Sequence, residues 1–181
     1  MSRQYVTDKL SHARDSLGLV KVERLPRYAD DAYGFVLEFS AKWTLLLQIR
    51  EGGYGDGYLA VRTKDIVNVR SSKTFESQFA QTQPFWPPVN PGCIDLSTTR
   101  NLLDSASKLS GLVGIQRENK LDGLWIGEVV EFTTKRVYVR EVRPDATWQD
   151  EPLGYKLRSV TSVKIDDDYQ RALKAVSAGT R

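Results

Sequence analysis

The fifteen residues GFVLEFSAKWTLLLQ at 34–48 reappear in outline ninety-three residues later as GEVVEFTTKRVYVRE at 127–141. Gly34/Gly127, Val36/Val129, Glu38/Glu131, Phe39/Phe132 and Lys42/Lys135 are identical, five positions where unrelated segments would share about one. Upstream the offset holds: Gly18-Leu19-Val20 matches Gly111-Leu112-Val113, Leu10 matches Leu103 and Ala13 matches Ala106. Downstream it becomes 94, where Ile66, Val69, Phe75 and Phe79 meet Val160, Val163, Tyr169 and Leu173. A one-residue insertion in the intervening loop follows. The match weakens over Thr44–Leu47, which stand against Val137, Tyr138, Val139 and Arg140. A chain of 181 residues that repeats itself over about seventy of them reads as two small units of one design.

The periodicities give each unit as helix, five short strands, helix. Val6, Leu10, Ala13 and Leu17 lie on one helical face, and Gly18 offers a left-handed stop. In the second unit a helix starts near Ser97 and is expected to bury Leu102, Ala106 and Leu109. Strands are expected at 19–25, 33–39, 43–49, 58–62 and 66–70, then at 112–117, 124–132, 136–142, 154–157 and 160–165. In the strand RVYVRE, Val137 and Val139 face one way and Tyr138 and Arg140 the other. Tyr169, Ala172, Leu173 and Val176 form the inward stripe of a closing helix, with Asp166–Asp168 at its positive N-terminus. The expected division is residues 1–83, a proline-rich spacer at 84–95 containing Phe85 and Trp86, and residues 96–181.

A short helix followed by five tightly connected strands resembles the Sm-like small barrels. Gly34, Val36 and Phe39 fit the first Sm motif, with Ser40 at its aspartate and Trp43-Thr44 at its apolar-asparagine pair; Gly127, Val129, Phe132, Thr133 and Arg136-Val137 take those places in the second unit. VRTKDIVNVR at 61–70 is similar to the second motif, with Arg62 at the arginine and Lys156 its counterpart. The chain also resembles a little-characterised bacterial family with two tandem units of this kind. The resemblance implies a mainly β protein with short helices: two tandem Sm-like five-stranded barrels, each preceded and followed by a short helix. In Sm proteins the aspartate, asparagine and arginine form a base-binding pocket, and two of these three are absent from both units. Ser40 and Thr44 retain hydroxyls; Val137 offers no hydrogen bond.

Composition narrows the chemistry. Twenty-six basic and twenty-three acidic residues give a net charge of +3, so the chain as a whole is not a polycation. One cysteine, Cys93, excludes an intrachain disulfide and suits a reducing compartment. The polar N-terminal stretch and the lack of a long apolar run give a cytoplasmic expectation with no membrane partner. His12 is the sole histidine, so neither an ordinary metal set nor a Ser-His or Cys-His pair is expected, and no cofactor. EGGYGDG at 51–57 lacks the Gly-Lys-Ser/Thr of a phosphate loop; Asp56-Gly57 reads as a turn.

Two sets of side chains stand out. Arg62, Lys64, Lys156 and Arg158 form a basic strand-turn in both units and are candidates for nucleic-acid phosphates. Trp148, Phe85 and Trp86 either pack against the units or serve a protein partner. Unpaired strand edges invite self-association. The expected function is a non-enzymatic binding or scaffold module, with RNA or DNA binding through the basic turns as the alternative.

Overall fold

A computed structural model describes residues 3–180. The first unit supplies α1 (Arg3–Asp15), β1 (Leu19–Arg24), β2 (Ala32–Phe39), β3 (Trp43–Ile49), β4 (Gly55–Arg62), β5 (Ile66–Ser71) and α2 (Phe75–Ala80). The second supplies α3 (Thr99–Ser110), β6 (Val113–Gln116), β7 (Leu124–Phe132), β8 (Arg136–Glu141), β9 (Leu153–Lys156), β10 (Ser162–Ile165) and α4 (Asp168–Ser177). No helix among the described residues is long and apolar enough to cross a membrane.

The expectation of two closed five-stranded barrels is wrong. The strands form one open antiparallel sheet in the order β5-β1-β2-β3-β4-β10-β6-β7-β8-β9. The reason lies in the backbone groups at the edge of β4. They could have been satisfied by closing the first unit on itself; they pair instead with β10, through Val61↔Ser162, Ala60↔Val163, Leu59↔Lys164 and Tyr58↔Ile165. This β4–β10 seam leaves β5 and β9 as the two outer edges.

Within that sheet the pairing register repeats with the sequence offset. Val20↔Gly34 on β1–β2 returns as Val113↔Gly127 on β6–β7. The β2–β3 register shifts between Val36 and Glu38, and the β7–β8 register between Val129 and Glu131. Across β3–β4, Trp43↔Arg62 becomes Arg136↔Lys156, which places the extra residue between β8 and β9. The shared glycine has a steric cause. A Cβ on Gly34 would lie 2.4 Å from the Leu47 carbonyl oxygen, and one on Gly127 would lie 2.2 Å from that of Arg140.

Burial explains where the repeat decays. On one face of the first unit, Val6, Leu10 and Ala13 of α1 pack with Val20, Val22, Val36, Leu46 and Val61. On the other face Leu19, Phe35, Leu37, Trp43, Leu45, Leu47 and Ile49 enter a core shared with α3 and the inner side of β6–β10. Strand β3 is therefore buried on both sides, and an uninterrupted TLLL is its solution. The outer positions of β8 remain partly exposed, so Tyr138 and Arg140 alternate with the fully buried Val137 and Val139. The chain between the units covers the outer face of the first. Trp86 meets Phe35 edge-on at 5.5 Å, Phe85 lies 6.5 Å from the same ring, and Leu96 is buried.

Several local expectations change. The positive φ that ends α1 falls on Leu17 rather than Gly18. Thr98, not Ser97, caps α3, accepting the Asn101 N–H; Leu103 is buried there and Leu109 exposed. On α4 only Leu173 of the predicted stripe is buried, while Tyr169 and Val176 face solvent, because Gln170 and Ser177 take the inner positions. Asp56 and Gly57 belong to β4 instead of a turn.

Both ends of the seam are fastened. Arg24 donates two hydrogen bonds of 2.9 Å to the two carboxylate oxygens of Glu118, with side chains only 4% and 2% exposed. Arg24 also donates to the Asp30 carbonyl, and the Glu118 N–H donates to Thr161 Oγ1. At the other end the Asp168 N–H donates to Asp56 Oδ1 at the start of α4. A Cβ on Gly57 (φ +67°) would sit 2.4 Å from the Asp166 carbonyl oxygen. Removing one member of a buried pair leaves its partner charged and unpaired. Glu118→Ala is therefore expected to cost about 3–5 kcal/mol in urea unfolding, and Arg24→Met with Glu118→Leu to recover most of that loss.

Candidate functional site

The two units lie side by side, so their equivalent turns fall along one rim of the sheet. The β2–β3 turn touches the β4–β5 turn where the Thr63 N–H donates to the Lys42 carbonyl at 3.0 Å. In the second unit Leu157 N–H donates to the Lys135 carbonyl at the same distance. Arg62 links the two sets across the seam, its N–H reaching the Thr161 carbonyl and its Nη2 the Arg158 carbonyl at 2.5 Å.

Of the basic residues singled out in the sequence, Lys64, Lys156 and Arg158 are exposed on this rim. Arg62 is not: its side chain is 11% exposed, 3.9 Å from Asp65, and burial lowers its pKa against the opposing pull of Asp65 and Glu118. It fastens the seam more than it faces solvent. The structure adds exposed Lys42 and Lys135 and partly exposed Arg136. Lys42 and Lys135 were visible as an identity in the repeat, but only the folded turns bring them beside Lys64 and Lys156. Among the described residues none of Lys42, Lys64, Lys135, Lys156 and Arg158 forms an ion pair. Asp65 is the one carboxylate in these four turns, and it lies against Arg62. Since the whole chain carries only +3, the rest of the molecule is net negative and the positive charge is gathered here.

The hydroxyls at the base-binding positions of the Sm resemblance are already committed. Ser40 Oγ donates to the Leu96 carbonyl at 2.7 Å and accepts from the Lys42 and Trp43 N–H groups. Thr44, fully buried, shares a 2.9 Å hydrogen bond with Thr63, whose hydroxyl is also within 2.9 Å of the Ser40 carbonyl. These groups brace the rim; they are not positioned to read a base edge.

The aromatic candidates are packed. Trp148 is 8% exposed and donates from Nε1 to the Ser177 carbonyl, with the Arg140 guanidinium 5.4 Å from its ring. Phe85 and Trp86 lie against Phe35, so none of the three projects as a free anchor. His12 is exposed on α1, and no group of three His, Cys, Asp or Glu side chains among the described residues is placed to hold a metal ion. Gly52, Gly53 and Gly57 of the glycine-rich stretch all have positive φ, a geometric use for them.

A cluster unforeseen in the sequence lies within the second unit. The Arg117 guanidinium stands 4.4 Å from the Trp125 ring centroid and 4.9 Å from that of Tyr155, whose hydroxyl donates to the Glu141 carboxylate. Burial pushes the Glu141 carboxyl up, with Arg117 opposing. Arg117, Trp125, Glu141 and Tyr155 are far enough apart in sequence that only the curvature of the sheet unites them.

Comparison of the chain with family models, curated proteins and solved structures finds no match.

The Glu141 carboxyl has a pKa raised above its unfolded value of about 4.3, so the folded state holds its proton more tightly. Its contribution therefore favours folding at acid pH and declines as pH rises from the unfolded value through the folded one. Asp167, raised by burial, acts in the same direction. Glu141→Gln is expected to flatten this slope and gain stability at pH 7 relative to pH 4 in urea unfolding. A variant less stable at pH 7 than the parent would show that the attraction of Arg117 outweighs desolvation.

Proposed function

We propose that the chain is a non-enzymatic binding module that holds single-stranded RNA or DNA by its phosphates along the basic rim. The observation that carries this reading is the gathering of five exposed, unpaired cations from four turns of an otherwise net-negative molecule. A row of exposed lysines with one arginine suits a flexible polyanion, which can follow the rim and release its counterions. The internally bonded hydroxyls of Ser40, Thr44 and Thr63 favour binding that is indifferent to sequence, since base readout needs free donors and acceptors. A cytoplasmic setting belongs to the same reading and suits the free, exposed Cys93.

Fluorescence anisotropy with a labelled single strand tests it. Binding should weaken with salt along a log–log slope of about −0.7 for each phosphate neutralised, or roughly −3 to −4 for five cations. Lys64→Ala with Lys156→Ala should lower that slope by about 1.4 and affect all sequences alike. Absence of binding at micromolar protein in low salt, or binding unmoved by the double substitution, would remove the proposal.

A further inference from the structure

A cavity of about 390 Å³ opens where the seam ends beside α4, at the opposite ends of the strands from the basic rim. Sites for small molecules span roughly 300–1,000 Å³, and this one falls within that range. Its floor is apolar and buried, formed by Ile126, Val142 and Leu173. At its mouth stand Leu124, 36% exposed, and Tyr169, 52% exposed. The charged lining groups, Asp56, Lys164 and Asp167, gather at the start of α4. Asp56 comes from the first unit and the others from the second, so the cavity is complete only when the seam is closed.

These polar groups are held in place without being used up. Asp167 caps α4, its Oδ1 accepting the Gln170 N–H at 2.7 Å, with the side chain only 4% exposed. Its Oδ2 takes no hydrogen bond among the described residues; Lys164 Nζ stands 3.9 Å from it, too far for one, and has no other partner there. Asp56 accepts the Asp168 N–H through Oδ1 and forms no ion pair among the described residues. The neighbouring Asp166 and Asp168 differ, since Arg171 holds both and Arg50 meets the second. Gln170 sets the geometry by donating to the Lys164 carbonyl and accepting the Asp166 N–H. A Cβ on Gly114 would lie 2.6 Å from Gln170 Nε2 and 2.9 Å from Leu124 Cδ1, so the bare backbone there lets Gln170, Leu124 and Lys164 converge.

A carboxylate oxygen and an ammonium group 3.9 Å apart, beside an apolar trough, match a ligand that carries both charges close together on an apolar body. In an α-amino acid the ammonium nitrogen and the carboxylate oxygens are roughly 3 Å apart by ordinary covalent geometry. We propose that this cavity binds a free α-amino acid with an apolar side chain: its ammonium group donates to Asp167 and Asp56, its carboxylate accepts from Lys164, and its side chain covers Leu124, Ile126 and Leu173 beside Tyr169. Two carboxylates against one lysine leave the start of α4 short of positive charge, which the ammonium group supplies. Burial pushes the Asp167 carboxyl up, the Gln170 N–H and Lys164 oppose it and Asp56 adds to it, so a bound ammonium group favours the charged form. An adjoining hollow of about 280 Å³ shares Pro144, Tyr169 and Leu173 and continues past Ala172 to Val176, which leaves room for a side chain such as that of leucine or phenylalanine. It also gives a use to Tyr169 and Val176, the apolar residues that α4 turns to solvent. None of this depends on the nucleic-acid reading.

Isothermal titration calorimetry of the full chain with L-leucine and with L-phenylalanine, without nucleic acid, tests this. At least one should bind saturably with a Kd below about 1 mM. The amide of that amino acid, which lacks the charged carboxylate, and its deaminated acid, which lacks the ammonium group, should each bind at least about tenfold more weakly. Lys164→Met should weaken the amino acid by about tenfold and the amide not at all, a split that a lysine with a purely structural part would not give. Asp167→Asn keeps an N-cap acceptor for the Gln170 N–H while removing the charge, and should weaken amino acid and amide alike. No saturable binding of either amino acid up to about 10 mM overturns the proposal. So does an amide or deaminated acid that binds as tightly as its parent, or an affinity unchanged in both variants.

Discussion

Pairing of β4 with β10 is the contact on which the rest of this molecule depends. A β-strand at the edge of a sheet carries backbone groups that need partners, and each five-stranded set begins with two such edges. Joining one edge from each set pairs four strand residues on either side and turns ten strands into one sheet. The ends of the seam are then fixed by side chains: Glu118 receives the fork of Arg24, and Asp56 accepts the Asp168 N–H in the first turn of α4. Burying a carboxylate and a guanidinium is costly in itself and is offset only because the fork geometry and the surrounding hydrogen bonds are complete. The ion pair thus specifies how the two sets align more than it adds stability.

Once the seam is set, the two copies of the design experience different surroundings. The outer face of the first becomes interior, covered by the segment carrying Phe85, Trp86 and Leu96 and continuous with the core beneath α3. The corresponding face of the second keeps Glu128, Arg136, Tyr138 and Arg140 partly in water. Equal backbones with unequal burial account for a repeat that is strict at Gly34/Gly127, where strands approach closely, and loose at Leu45/Tyr138 and Leu47/Arg140.

The seam also creates the rim. Lysines in separate turns of separate units become neighbours only because the units are aligned laterally, with Arg62 bridging to the Arg158 carbonyl between them. Arg62 illustrates how one residue type can be read two ways: its place in the repeat suggests phosphate contact, while its burial beside Asp65 gives it a part in holding the turns. The exposed charges work as a row, and the hydroxyls behind them work as a brace.

The repeat, its offset of 93 and then 94, and the alternation of Val137 and Val139 were legible because strand periodicity and close-packed glycines leave their mark on single segments. Helical faces were legible only in part: Leu102 and Ala106 on α3 are buried as their spacing requires, yet α4 turns Tyr169 and Val176 to solvent because Gln170 finds hydrogen-bond partners beneath the helix. Three of the five rim cations could be named from the basic turns; Lys42 and Lys135 could not, since nothing local says that two hairpins share an end. By itself, then, the sequence determined the strands, their order within each unit and the places where backbone must approach backbone, all of them short-range properties of residue size and polarity. Only the tertiary structure decided that the units open into one sheet, that Arg24 belongs to Glu118 and that the free cations stand together, because each of these is a choice among distant partners competing for the same unpaired edge or charge.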